Sequence, residues 1–98
     1  MILITGAIVA RPETLDEVRR ISLVHVHRSR AEPGCISHDV HIDVESPHRF
    51  VFVERWESED AVRAHFAVPE SRAFGRALAS LAAQPPDMQL YQADLVKL

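Results

Sequence analysis

The sequence predicts an α+β fold of the ferredoxin-like type, a four-stranded antiparallel sheet with helices on one face. Apolar, β-branched segments alternate with segments of helical periodicity in the order βαββ(αα)β, which favours that plan when the crossovers are right-handed. No linker, repeat or low-complexity segment divides the chain. Its 98 residues are the length of one domain, so we expect residues 1–98 to form a single unit.

The first strand and helix are separated at Pro12. The apolar run from Ile2 to Ala10 is typical of a strand. Pro12 suits the first turn of a helix, and acidic residues follow it, so we expect a helix from Pro12 to Ala31. Pro33-Gly34 ends that helix and turns the chain. The face of this helix that we expect to be buried comprises Leu15, Val18, Ser22, His25 and Val26.

Three strands and two helical pieces follow. Residues Cys35 to Asp43 alternate as a second strand with His38 on its apolar face, and Glu45 to His48 form a turn. Phe50 to Trp56 is the third strand, with apolar residues on both faces. The remaining elements are a helix from Glu59 to Ala67 capped by Ser58, a helix from Pro69 to Ala83, and a strand from Met88 to Val96.

The first and third strands are apolar on both faces, although the predicted helices can cover only one. A strand of that kind is normally buried on both sides. We therefore expect a homodimer in which two sheets pack face to face.

Composition excludes several classes of protein. The chain is 47% hydrophobic and 26% charged with a net charge of −3, which argues against a nucleic-acid or membrane-surface protein. The short apolar N-terminus lacks a basic flank, so we expect no signal peptide and a cytoplasmic location. The single cysteine, Cys35, can form no intrachain disulfide; a small buried side chain is favoured over a nucleophile.

The sequence has six histidines, but their local spacing predicts no metal site. His25 and His27 point to different sides of a helix, and His38 and His41 face opposite sides of a strand. No phosphate-binding loop or nucleophile elbow is present. The acidic residues fall on predicted outer faces, which gives paired-carboxylate chemistry no support. We expect no metal and no cofactor.

Three side chains have both a structural and a functional interpretation. His65 lies within the apolar stripe of its helix beside Phe66, so it either makes a structural hydrogen bond or faces a cavity. His25 raises the same alternative. Trp56 closes a strand and is either a packing aromatic or a pocket wall with an N–H donor.

Several motifs together resemble the antibiotic biosynthesis monooxygenase (ABM) domain family over roughly the whole chain. They are Glu32-Pro-Gly-Cys-Ile36, Asp43 with Ser46-Pro-His-Arg-Phe50, Glu54-Arg-Trp-Glu-Ser58, and Ala61, His65 and Ala73-Phe74. The resemblance implies a dimeric α/β barrel of two ferredoxin-like subunits, each with a pocket between sheet and helices. It also implies a chemically mixed family: cofactor-free oxygenases of phenols and quinols, haem-degrading enzymes, an isomerase of a phosphorylated signalling sugar, and members without known activity.

The residues favour the cofactor-free branch. When the haem branch is aligned on Trp56, its functional Trp falls on His65 and its functional His on Gly75. Neither residue type is retained, so that branch is disfavoured. We expect a monooxygenase that oxidises a small phenolic or quinol-type aromatic with O₂. The alternative is a non-oxygenase binding protein or isomerase of the same fold. The expected catalytic residues are His65, as base or proton shuttle, and Trp56; the expected substrate-binding residues are His25, His38, Phe66, Phe74 and Leu78.

Overall fold

The computed structural model describes all 98 residues, and its element order is the predicted one. A short 3-10 turn, Pro12–Thr14, precedes the first helix. The longest helix has 15 residues, and none is long and apolar enough to cross a membrane. The elements are β1 (Ile2–Val9), α1 (Leu15–Ser29), β2 (Cys35–Asp43), β3 (Ser46–Trp56), α2 (Glu59–Ala67), α3 (Pro69–Leu81) and β4 (Asp87–Gln92).

The four strands form one antiparallel sheet in the order β2-β3-β1-β4, which confirms the ferredoxin-like α+β class. β1 and β3 are the central strands, paired from Ile2 opposite Trp56 to Val9 opposite Arg49. All three helices pack on the same face of this sheet. On that face most side chains of the two central strands are buried, whereas those on the opposite face are at most half-buried.

Some predicted bounds are wrong, for reasons that lie in the pairing of strands. β4 ends at Gln92 rather than Val96 because its partner β1 begins at Ile2, opposite Gln92, and beyond that pair only Met1 and Ala93 bond to each other. β3 begins at Ser46 because the hairpin is tighter than predicted and Ser46 already pairs with Asp43. The chain from Pro12 makes a 3-10 turn in which the Thr14 N–H bonds the Arg11 carbonyl at 3.0 Å, and the Thr14 hydroxyl bonds the Leu81 carbonyl at 2.7 Å.

The core consists of two apolar clusters on the helix-covered face. The larger is built around Phe50 and Phe52 of β3 with Val18 and Val26 of α1. The smaller comprises Ile2, Ile4, Trp56 and Val62. Along β3, Glu54 lies between Phe52 and Trp56 and therefore separates the clusters. The carboxyl group of Glu54 thus lies where the two apolar clusters meet.

The opposite face of the sheet carries apolar side chains that no helix covers. Leu3, Ala7 and Val9 of β1 and Val51 and Val53 of β3 are only half-buried there. This matches the sequence pattern that prompted the dimer prediction, which stays a prediction.

Candidate functional site

A cavity of about 420 Å³ opens between the helix-covered face of the sheet and helices α2 and α3. Its walls are mostly apolar, with Phe52, Phe66, Phe74 and Leu78 supplying the larger surfaces. Its polar side chains are His25, Glu54, Ser71, Arg72 and Asp87. An apolar chamber with a few polar groups is the usual form of a small-molecule site.

Two glycines give the cavity its space. A Cβ on Gly6 of β1 would lie 3.3 Å from the Asp87 carbonyl oxygen, so a side chain there would crowd the strand edge. A Cβ on Gly75 of α3 would meet nothing within 4 Å, so that helix leaves the chamber open. Both glycines line the cavity.

The structure places the seven predicted site residues in two adjoining groups. His25, Phe66, Phe74 and Leu78 line the cavity. His38, His65 and Trp56 do not line it; they are buried directly behind His25 and Glu54. The ring centroid of His25 lies 5.1 Å from that of His38 and 5.3 Å from that of His65. The indole of Trp56 lies 4.6 Å from His65, between centroids.

Three histidines from three different elements therefore form one cluster. His25 comes from the buried face of α1, His38 from the inward side of β2 and His65 from the inward side of α2. One ring nitrogen from each lies within 4.8 Å of those of the other two. Spacing along the chain could not reveal this cluster, because only the packing of α1 and α2 on the sheet brings the rings together.

A first polar chain links His65 to His25 through two side chains that the sequence analysis did not select. His65 Nδ1 lies 2.8 Å from Glu32 Oε1, and Arg28 Nη1 donates to Glu32 Oε2 at 2.7 Å. Arg28 Nη2 lies 2.9 Å from His25 Nδ1 and 3.1 Å from Ser71 Oγ. This chain anchors the start of the Glu-Pro-Gly turn to α1, α2 and α3 at once.

The contact with Arg28 determines the protonation of His25. A guanidinium can only donate, so His25 Nδ1 accepts and its proton must lie on Nε2. Burial, assisted by His38, His65 and Arg28 nearby, lowers the pKa of His25 to about 3. His25 is therefore a neutral imidazole near physiological pH, and its ring stacks on Phe74 with centroids 3.9 Å apart.

A second polar chain holds Glu54, and it corrects the expectation that all acidic side chains face outward. Glu54 is only 7% exposed and occupies an inward position of β3. Trp56 Nε1 donates to its Oε1 at 2.9 Å, and His38 Nε2 lies 3.1 Å from the same oxygen. Burial alone would raise the pKa of Glu54, but His38 and the Trp56 N–H lower it below its ordinary value. Glu54 is thus an ionised carboxylate in the cavity wall.

Glu54 could have been found from the sequence. In Phe50 to Trp56 the inward positions alternate as Phe50, Phe52, Glu54 and Trp56, and a charge in such a series signals a site rather than a solvated face. Glu32 lies within the Glu-Pro-Gly motif, but no local pattern indicates its contact with His65.

The environment of Cys35 supports its expected inert role. Cys35 is half-buried at the start of β2. Burial and then the carboxylates of Glu54 and Glu32 raise the pKa of its thiol. A thiol held in that form is a poor nucleophile.

The comparisons with known proteins decide the family. The family model described as antibiotic biosynthesis monooxygenase matches residues 1–77. The chain belongs to the ABM family. A crystal structure of an antibiotic biosynthesis monooxygenase is 25% identical with a TM-score of 0.89, and the match covers 97% of this chain and all of that one.

Two further relatives come from named organisms. An ABM protein of Deinococcus radiodurans, provisionally named as a monooxygenase, gives a TM-score of 0.94 at 24% identity over 100% of this chain and 97% of that one. An uncharacterised protein of Synechocystis sp. is 31% identical over 91 residues. That match covers 93% of this ABM chain but 62% of the Synechocystis protein, so the chain spans under two thirds of that relative's length.

Proposed function

We propose that this ABM protein is a cofactor-independent monooxygenase that oxidises a small phenolic or quinol-type aromatic with O₂. The observation that carries the proposal is that Glu54 and neutral His25 both line an otherwise mostly apolar cavity. One is an acceptor for a hydroxyl proton, and the other is a donor for the oxyanion that results. Membership of the ABM family supports the reaction class.

The shape of the cavity suits a small aromatic ring. Phe52 and Phe74 meet edge to face with centroids 6.0 Å apart, and Phe66 closes a third side. Offset and edge-to-face contacts of this kind favour an aromatic substrate. Surrounding apolar walls also keep water from reactive intermediates.

The reaction needs few groups from the protein. Glu54 takes the proton of the substrate hydroxyl, and His25 Nε2–H stabilises the oxygen anion. The electron-rich ring passes one electron to O₂, and the two radicals combine to form a carbon–oxygen bond. The peroxide takes back the proton and becomes a hydroperoxide. Its O–O bond then breaks, and the outer oxygen leaves as water with the hydrogen of the ring carbon. The oxygen that stays on the carbon becomes a carbonyl, so the product is a quinone. Atoms and electrons balance with O₂ as the only oxidant.

His65 and Trp56 act in this proposal from behind the cavity wall. The Trp56 N–H holds Glu54 in place, so its donor function serves the carboxylate rather than the substrate. His65 is a proton shuttle rather than the group that contacts substrate, because Glu32 and the other two histidines surround it. Trp56 is thus a positioning residue for Glu54, and neither Trp56 nor His65 touches the substrate.

A homodimer in the cytoplasm completes the proposed assembly. The uncovered sheet face, with Leu3, Val51 and Val53, supplies the surface through which two copies pack. Two ferredoxin-like sheets packed in this way form the expected dimeric α/β barrel.

Oxygen uptake tests the proposal. Chelator-treated protein is mixed with a panel of quinols and phenols, and O₂ consumption and quinone formation are followed together. We expect at least one substrate to consume one O₂ per quinone formed, and we expect His41→Asn, a change at an exposed site, to leave the rate unchanged. Binding of phenols without any O₂ consumption would instead favour the binding-protein or isomerase alternative.

A further inference from the structure

The three buried histidines behind the cavity each have one nitrogen in contact with a charged side chain. Nδ1 of His25 contacts Arg28, and Nδ1 of His65 contacts Glu32. Nε2 of His38 faces Glu54. The other nitrogen of each ring makes no hydrogen bond within the protein.

His38 is the least satisfied of the three. It is 0% exposed, and neither of its ring nitrogens makes an aligned hydrogen bond, since its approach to Glu54 is close but poorly directed. Buried polar groups in native proteins are nearly always paired with protein, water or an ion. One atom bound among the three rings would satisfy nitrogens of His25, His38 and His65 together, because one from each already lies within 4.8 Å of the others.

The charges around the cluster favour a cation over water. Glu32 and Glu54 face the rings with two carboxylates, and Arg28 supplies one positive charge. The other polar neighbours, the Trp56 N–H and the Ser71 hydroxyl, are neutral. Around the three rings there are therefore two carboxylates for one guanidinium, in a buried site.

We propose that His25, His38 and His65 bind one divalent late first-row transition-metal ion, of the class of Zn²⁺ or Co²⁺. Three imidazoles with a fourth position left open are a recurrent ligand set for such ions. Zn–N bonds of about 2.0–2.1 Å place tetrahedral nitrogens about 3.4 Å apart, so the rings close in slightly on binding. This departs from the expectation drawn from the spacing of histidines along the chain.

The neighbouring carboxylates fit the role of outer supports. Metal-binding histidines usually hold their second nitrogen against a carboxylate, which fixes the ring. Glu32 does this for His65 at 2.8 Å, and Glu54 lies behind His38 at 3.1 Å.

Arg28 controls access to the third ligand. His25 must move its proton from Nε2 to Nδ1 before Nε2 can bind a metal, and Arg28 must then release Nδ1. The guanidinium keeps its contacts with Glu32 at 2.7 Å and Ser71 at 3.1 Å, so its release of His25 leaves it paired.

A titration with Co²⁺ tests the site. Full-length protein without a histidine tag is freed of metal, titrated with Co²⁺ and followed by its visible d–d absorption, and Zn²⁺ then displaces the cobalt. We expect one ion per chain with the intense bands of a tetrahedral site. Glu32→Gln should weaken binding about 10–100-fold, the usual cost of losing such a support.

Two variants separate this site from adventitious binding. His38→Phe removes one ligand, so it should abolish the bands; because it also removes a neighbour of the buried Glu54 carboxylate, its folding is checked by circular dichroism. A triple variant of His27, His41 and His48 to Asn, which lie outside the cluster, should bind as the parent does. If His38→Phe does not fold, His25→Phe provides the same comparison, with folding checked by circular dichroism.

The proposal is overturned if the parent binds no stoichiometric Co²⁺ or Zn²⁺, if folded His38→Phe or His25→Phe keeps the tetrahedral bands, or if the triple variant loses them. The titration contains no phenol, and the oxygen-uptake experiment contains chelator. Failure of the metal site is therefore distinguishable from failure of the proposed oxidation.

Discussion

At the scale of single residues, the direction of one hydrogen bond assigns the roles in the cavity wall. Arg28 can only donate, so His25 presents an N–H and not a lone pair on its free nitrogen. Two carboxylates line the cavity, and of these Glu54 is buried and held by Trp56, whereas Asp87 is exposed. In the mechanism that we propose, the role of base therefore belongs to this carboxylate, and His65 keeps the predicted alternative role of proton shuttle.

Replacing Glu54 tests that assignment. Glu54→Gln keeps size and an acceptor for the Trp56 N–H but removes the base, so turnover should fall about 10²–10⁴-fold. The rate is measured by oxygen uptake at saturating substrate, and the melting temperature by circular dichroism. A folded variant that retains the parent's turnover would remove Glu54 from the mechanism.

His65 should behave as a proton shuttle rather than a structural anchor. Arg28 still pairs with Glu32 when His65 is lost, so we expect His65→Asn to fold with a melting temperature within a few degrees of the parent's. We also expect it to lose most of the turnover. If the variant instead melts far lower and keeps its turnover per folded molecule, His65 is structural.

At the scale of elements, the turn between α1 and β2 positions Glu32 beside His65. Gly34 has φ of +82°, and a Cβ there would lie 2.5 Å from the Cβ of Ala61 in α2. Its carbonyl accepts the backbone N–H of Glu57 at 2.8 Å. Glycine at this position lets the turn lie directly on α2, which brings Glu32 within reach of His65.

Two glycine substitutions test the turn and provide each other's control. Gly34→Ala should lower the free energy of unfolding by at least about 1–2 kcal/mol, since an L side chain is strained at positive φ and collides with Ala61. Gly75→Ala, on the helical surface of α3 with free space around it, should raise it by about 0.5–1 kcal/mol. Urea unfolding measures both, and equal effects would contradict the account of the turn.

Elements were predicted well where local signals set their ends. The Ser58 cap and the Val68-Pro69 boundary define α2, which was predicted from Glu59 to Ala67 and is found there. The end of β4 depends on where its partner β1 begins, which no property of residues 93–96 reveals. The histidine cluster was missed for the same reason, because its members meet only through tertiary packing.

At the scale of the whole molecule, the sheet has one covered and one uncovered face. Val53 lies at the middle of the uncovered face on a central strand, opposite Thr5. Large exposed apolar patches usually mark an interface. A second copy of the chain is the partner we propose for this surface.

Light scattering at micromolar concentration tests the dimer. The parent should have the mass of two chains. Val53→Glu should be a folded monomer, because dimerisation would bury its carboxylate in the interface. Val44→Glu, at a 95% exposed turn residue, is the matched control and should stay dimeric. A parent that is a stable monomer would contradict the proposed packing.

The most direct test of the central claim is the fate of oxygen in a single turnover. Chelator-treated protein is mixed with its quinol or phenol under isotopically labelled O₂, and the product is analysed at once by mass spectrometry. The proposed cavity chemistry predicts a quinone carrying one labelled oxygen atom, formed by the parent about 10²–10⁴-fold faster than by Glu54→Gln. A product without the label, or a substrate changed without consuming O₂, would contradict it.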